Sequence, residues 1–147
     1  MSISVYVNAR DVRAALSAAR VERIARDTLR AERVRDAMLS ITFVSNAAIA
    51  RLNATHLGHR GATDVISFGF AGTRKGSPVV GDIYIAPAVA RANALENGAP
   101  IREELARLVV HGTLHVLGYE HPENGTRTTS PMWKRQERLL ARALKSR

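Results

Sequence analysis

The sequence predicts one α+β or mixed α/β domain spanning residues 1–147, built on a small mixed sheet of about four strands packed with helices. Apolar residues alternate with a period of two in short segments, and segments of period 3.6 lie between and after these, with Ser, Pro and Gly marking their ends. Composition agrees, because 46% hydrophobic and 24% charged residues over 147 positions is globular, and no repeat, linker or low-complexity run divides the chain.

The elements follow in order. Ser2 to Val7 alternates, with Ile3, Val5 and Val7 on one side, and Asn8 ends the strand. From Asp11 to about Val34 the pattern is helical, with Val21, Ile24, Ala25 and Thr28 on one face and Arg23, Arg26, Arg30 and Arg33 on the other. Ala37 to Val44 is a second strand; Ser45-Asn46 then caps a short helix from Ala47 to His56. After a loop at Gly58 to Gly61, Asp64 to Phe70 and Val79 to Ala86 form an antiparallel hairpin across a turn containing Gly, Lys and Pro. Helices are expected at Pro87 to Asn97, stopped by Gly98, at Ile101 to Leu117, and from about Ser130-Pro131 to the end. The predicted order is therefore β-α-β-α-β-β-α-α-α.

Charge and cysteine usage narrow the chemistry. Lys plus Arg number 22 against 13 Asp plus Glu, a net charge of +9, and nearly all the bases are Arg, whose planar fork suits bidentate phosphate contacts. Nucleic acid is the expected partner, and Arg23, Arg26 and Arg30 read either as a phosphate-tracking stripe or as a solvated helix face. With no cysteine, disulfides and thiolate metal sites are excluded, so a transition-metal site must draw on His, Asp or Glu. No apolar run reaches membrane-spanning length and the N-terminus lacks a signal pattern, so a cytoplasmic protein without membrane contact is expected.

The segment Ile101 to Leu117 is apolar all round, as in a buried helix, yet carries His111 and His115. Four positions apart, they stand about 40° apart in projection, so both imidazoles can converge on one point. Gly118 ends the helix and lets the chain turn back, bringing His121 to the same point. The pattern H-G-T-L-H-V-L-G-Y-E-H has the His, Gly and His spacing of metzincin zinc sites. His111, His115 and His121 are expected to hold one divalent ion, with zinc as the ion named, leaving a coordination place open for catalysis. Such an ion can acidify water or polarise a phosphoryl oxygen. The Glu that serves zinc proteases as general base is here Gly112, which argues against peptidase chemistry. Asp82, Glu120 and Glu123 are the carboxylates to test as acid, base or hydrogen-bond partners of the ligands.

These residues resemble the YbeY family of metal-dependent endoribonucleases of ribosomal RNA maturation. The resemblance lies in H-G-x-L-H-x-L-G-Y-x-H from His111 to His121, T-D-V-I-S-F from Thr63 to Phe68, G-D-I from Gly81 to Ile83, Leu52-Asn53, and Met132 with Glu137. It implies a zincin-like fold, a metal held by the three histidines, single-stranded ribosomal RNA as substrate with the 3′ end of the small-subunit RNA foremost, and the small ribosomal subunit and its proteins as setting. The place of an Arg common in the family holds Leu57; Arg60, three residues on, is the expected replacement as a catalytic residue. His56 and His59 share that loop, where His59 is a further RNA-binding candidate beside Arg60. Where the family commonly has Asp before the third ligand, this chain has Glu120. Aromatic content is low at 5%, which leaves Tyr84, Tyr119 and Trp133 as base-stacking candidates that otherwise read as core. The competing expectation is a non-catalytic, RNA-binding ribosome-assembly factor in which the metal only secures the fold.

Overall fold

The computed structural model describes residues 2–70, 77–120 and 129–145. Four strands form one mixed sheet: β1 (Ile3–Ala9), β2 (Ala37–Phe43), β3 (Val65–Gly69) and β4 (Val79–Ile85), in the spatial order β1-β2-β4-β3. β1 and β4 both run parallel to β2, while β3 returns antiparallel to β4 as the hairpin reading expected. Helices α1 (Ala18–Ala31), α2 (Asn46–Leu52), α3 (Pro87–Asn97), α4 (Ile101–Val116) and α5 (Pro131–Lys145) complete the order read from the sequence.

Several boundaries differ from the periodicity: β1 runs on through Asn8 to Ala9, and the limits of the first two helices shift for local reasons. α1 begins at Ala18, not Asp11, because the Ser17 side chain accepts from the Arg20 backbone N–H, and Asp11 stands at positive φ where no helix can pass. It stops at Ala31, before Val34, because Arg33 too is left-handed. α2 ends at Leu52, and the chain continues as a π-helical turn, Asn53–Leu57, closed by Gly58 at φ 68°.

Strand alternation sorts the sheet into two faces. On one, Val5, Leu39, Ile41, Ile83 and Ile85 join Leu29 of α1, Leu105 and Leu114 of α4, and Leu140 of α5 in the main core. On the other, Val44, Ile49, Ile66 and Ala86 form a smaller cluster with Phe68 and Tyr84 packed against it.

The last turns of α4 lie unusually close to the sheet. Gly69 and Gly81 are register partners on β3 and β4, and a Cβ on Gly81 would stand 2.5 Å from a methyl of Val116, one on Gly69 2.9 Å from the Val116 carbonyl oxygen. From the helix side, a Cβ on Gly112 would stand 2.8 Å from Ile83 Cγ2, and the Ser67 hydroxyl donates to the Gly112 carbonyl at 3.2 Å. Absent side chains thus let helix backbone and sheet backbone approach, fixing how His111 and His115 face their surroundings.

Candidate metal centre

His111 is buried and His115 half-buried on α4. Their spacing of one helical turn brings the rings edge to face with centroids 4.7 Å apart. Both line a cleft of about 360 Å³ whose opposite wall is Leu57 and the start of β3, from Thr63 to Ser67. His111 also borders a larger neighbouring cleft, about 590 Å³, with Asp64, Glu104, Arg107, Trp133 and Gln136 in its walls.

The protein grips His111 from behind. Its Nδ1 lies 2.6 Å from Gln136 Oε1 on α5, and Gln136 is almost fully buried. The Gln136 amide nitrogen donates to Glu137 Oε2 at 3.0 Å, and Arg107 donates to both Glu137 oxygens, from Nε at 3.1 Å and Nη2 at 3.2 Å. Arg107 stands one turn before His111 and also pairs with Glu103 and Glu104. Burial alone lowers the pKa of Arg107, but hydrogen bonding and charge from Glu137, with the other two carboxylates, raise it on balance. Burial is likewise the largest influence on Glu104 and raises its pKa against the attraction of Arg107.

The donor set suits a borderline divalent ion. Two imidazoles stand side by side on one helix face, and one already has its rear nitrogen hydrogen-bonded, as His ligands of metals usually do. Among the described residues no group of three or more His, Asp or Glu side chains gathers as a complete cage. His121 and Glu123 lie outside the described residues.

The other expected site residues divide. Leu57 forms part of the cleft wall, whereas Arg60 and His59 stand exposed on the loop beyond it, and Arg60 is not among the residues lining either cleft. His56 meets Phe68 edge-on at 5.3 Å. Asp82 is turned to the other side of the sheet: Gly81 and Ile83 face α4, so the strand's period of two sends the Asp82 carboxylate away from the imidazoles, where it accepts from the Ser40 hydroxyl at 2.6 Å. Its sequence-based role beside the ligands has no geometric support. Glu120 is exposed just past Gly118.

The carboxylate that sequence reasoning missed is Asp64. Among the described residues lining the smaller cleft it is the one acidic side chain, and it accepts from Asn93 Nδ2 at 3.3 Å. The signal for it lay in the T-D-V-I-S-F segment. Gln136 was missed as well, because nothing local to α5 announces a partner 25 positions away.

Of the arginine stripe, Arg23 and Arg30 are exposed on α1, while Arg26 donates to the Ile3 carbonyl at 2.6 Å and pairs with Glu22 at 2.9 Å. Arg26 therefore ties α1 to β1. Tyr84 packs edge-on against Phe68, Trp133 borders the larger cleft, and Tyr119 donates to Glu32, which Arg135 also clamps. That hydrogen bond to Glu32, ahead of burial, raises the Tyr119 pKa.

Known proteins similar to this chain share one family name. A family profile described as Endoribonuclease YbeY matches residues 4–144. A protein named Endoribonuclease YbeY from Syntrophus aciditrophicus is 30% identical over 143 residues, covering 95% of this chain and 89% of its own. One of the same name from Frankia alni is 36% identical over 133 residues, covering 83% of this chain and 72% of its own. In fold, the solution structure of TM1509 from Thermotoga maritima matches with a TM-score of 0.61 at 21% identity, over 96% of this chain and 89% of that one.

Proposed function

The chain belongs to the YbeY family of endoribonucleases, and on that footing we propose that it is a metal-dependent hydrolase cutting single-stranded RNA during ribosomal RNA maturation. The observation that carries the reading is the pair of imidazoles, 4.7 Å apart on one helix face at the wall of a cleft, with one Nδ1 already engaged. His111, His115 and, following the family pattern, His121 hold the ion, for which zinc is proposed. When bound, a divalent cation supplies Lewis-acid stabilisation of charge developing on a phosphoryl oxygen.

The chain's own side chains do the rest. Asp64 is positioned to move a proton at the cleft, in place of Asp82, and Ser67 and Leu57 shape the wall opposite the histidines. Arg60 and His59, on the exposed loop leading into β3, together with Arg23 and Arg30 on α1, contact phosphates and draw on the net charge of +9. No helix among the described residues is long and apolar enough to cross a membrane. The proposed setting is the cytoplasm, with the 3′ end of small-subunit ribosomal RNA as substrate, the small subunit and its proteins as partners, and the whole chain acting as one domain.

A cleavage assay on single-stranded ribosomal RNA fragments, with zinc-loaded parent, His115→Ala, Asp64→Asn and Arg60→Ala, tests the reading. Loss of cutting in His115→Ala is expected, with large reductions in the other two. Cutting that survives the loss of His115 removes the metal from the reaction. RNA that binds but is never cut at any metal loading turns the assignment to the assembly factor with a structural metal, a reading favoured by one observation: an uncharged residue, Leu57, stands in the cleft wall.

A further inference from the structure

We infer that Gln136 is the positioning residue that presents His111 to the divalent ion, by dictating which ring nitrogen carries the proton; the inference rests on the reading of His111 as a ligand. Hydrogen-bond logic carries it from one end of a chain of side chains to the other. Glu137 is gripped by Arg107 through two parallel bonds at 3.1 and 3.2 Å, in which both of its oxygens accept and its carboxylate is held in orientation. Oε2 is an acceptor in the bond from Arg107 Nε, and the group of Gln136 that meets it at 3.0 Å is the NH₂. The amide oxygen therefore points the other way, to His111 Nδ1 at 2.6 Å. An amide oxygen also only accepts, so Nδ1 carries the hydrogen, and the lone pair of the neutral ring is left on Nε2.

Gln at this position meets both neighbours without a charge of its own. Glu at 136 would set a second carboxylate beside Glu137, and an apolar side chain would let the ring exchange its proton between the two nitrogens. Gln offers an acceptor at one end and a donor at the other, and burial at 1% exposure leaves it no water with which to substitute either bond. The amide is also neutral, and Arg107 offsets the charge of Glu137 behind it. The group in contact with His111 thus fixes the ring without bringing a charge of its own. The elements responsible are far apart in sequence: Arg107 and His111 share one face of α4, and α5 lays Gln136 and Glu137 across it.

Two measurements test this. In the metal-free parent near neutral pH, ¹⁵N spectra of the imidazoles should show His111 protonated on Nδ1; protonation on Nε2 overturns the inference, whatever any variant does. Zinc affinity, measured by competition with a chelator, should be weaker in Gln136→Met by roughly 10- to 100-fold, and Gln136→Glu, which keeps an acceptor oxygen, should recover part of that loss. Equal weakening in both variants overturns the role of the hydrogen bond. A parent that takes up no zinc overturns the metal reading and this inference together, whereas a parent that binds zinc no more tightly than Gln136→Met overturns the inference alone.

Discussion

Replacing Gly81 by Ala tests how closely α4 must lie on the sheet. The new Cβ would stand 2.5 Å from Val116 Cγ1, 2.8 Å from Cγ2 and 3.1 Å from the Phe68 carbonyl oxygen, all shorter than ordinary contact. Val116 cannot swing clear, because a β-branched side chain in a helix has one strongly preferred rotamer, so the end of α4 must move and carry His115 with it. Overpacking of this kind costs about 1–3 kcal/mol, reduced by the roughly 0.5–1 kcal/mol that Ala gains over Gly inside a strand. A net loss of about 1–2 kcal/mol is expected. Val116→Ala alone loses about 2 kcal/mol, for two buried methyl groups and the space they leave. The same truncation removes both clashing atoms, so in the double variant the Gly81→Ala penalty should largely vanish, giving a favourable coupling of roughly 1–2 kcal/mol. Urea unfolding of the four proteins measures the cycle, and zinc affinity should fall in Gly81→Ala and return with the second substitution. Losses that simply add, within about 0.5 kcal/mol, would refute the close-approach argument.

Glu104→Gln should alter how stability depends on pH. Burial raises the folded carboxyl above its ordinary 4.5, so the folded state holds that proton more tightly than the unfolded chain; the stability it contributes is therefore lost as pH rises from 4.5 through the folded value. The variant lacks that decline, and its urea midpoint relative to the parent should climb over this window; a pH-independent difference would contradict the assignment. Tyr119→Phe should cost about 0.5–1.5 kcal/mol at neutral pH. Because the Tyr119 pKa is raised above its ordinary 10, the parent should also lose stability relative to the variant as pH climbs past 10, and a late phase in the ultraviolet titration of the parent should be absent from the variant. Two of the arginines of α1 should separate: Arg26→Ala should lower stability by about 1 kcal/mol and leave the salt dependence of RNA binding unchanged, whereas Arg30→Ala should keep stability within about 0.5 kcal/mol and reduce the salt slope by about 1. Equal slopes for the parent and Arg30→Ala would remove Arg30 from the RNA surface.

What the sequence determined by itself is what short range controls. Period-two and period-3.6 patterns placed four strands and five helices in their order, since alternation and helical pitch are properties of a few consecutive residues. The meeting of His111 and His115 was legible for the same reason, being set by one turn of helix. The start of α1 was not, because Asp11 to Leu16 keeps an apolar pattern that packs on the core as irregular chain, and only the Ser17 cap begins the helix. Periodicity also says that Asp82 and its strand neighbours face opposite ways without saying which face a helix will cover; tertiary packing put α4 over Gly81 and Ile83 and left Asp82 on the other side. Packing likewise brought Asp64 to the cleft and Gln136 to the rear of His111. Those encounters join segments that share no local pattern, and they exist only because the chain, to bury its apolar faces, lays α5 on α4 and α4 on a sheet, with two side chains omitted from the sheet and one from the helix.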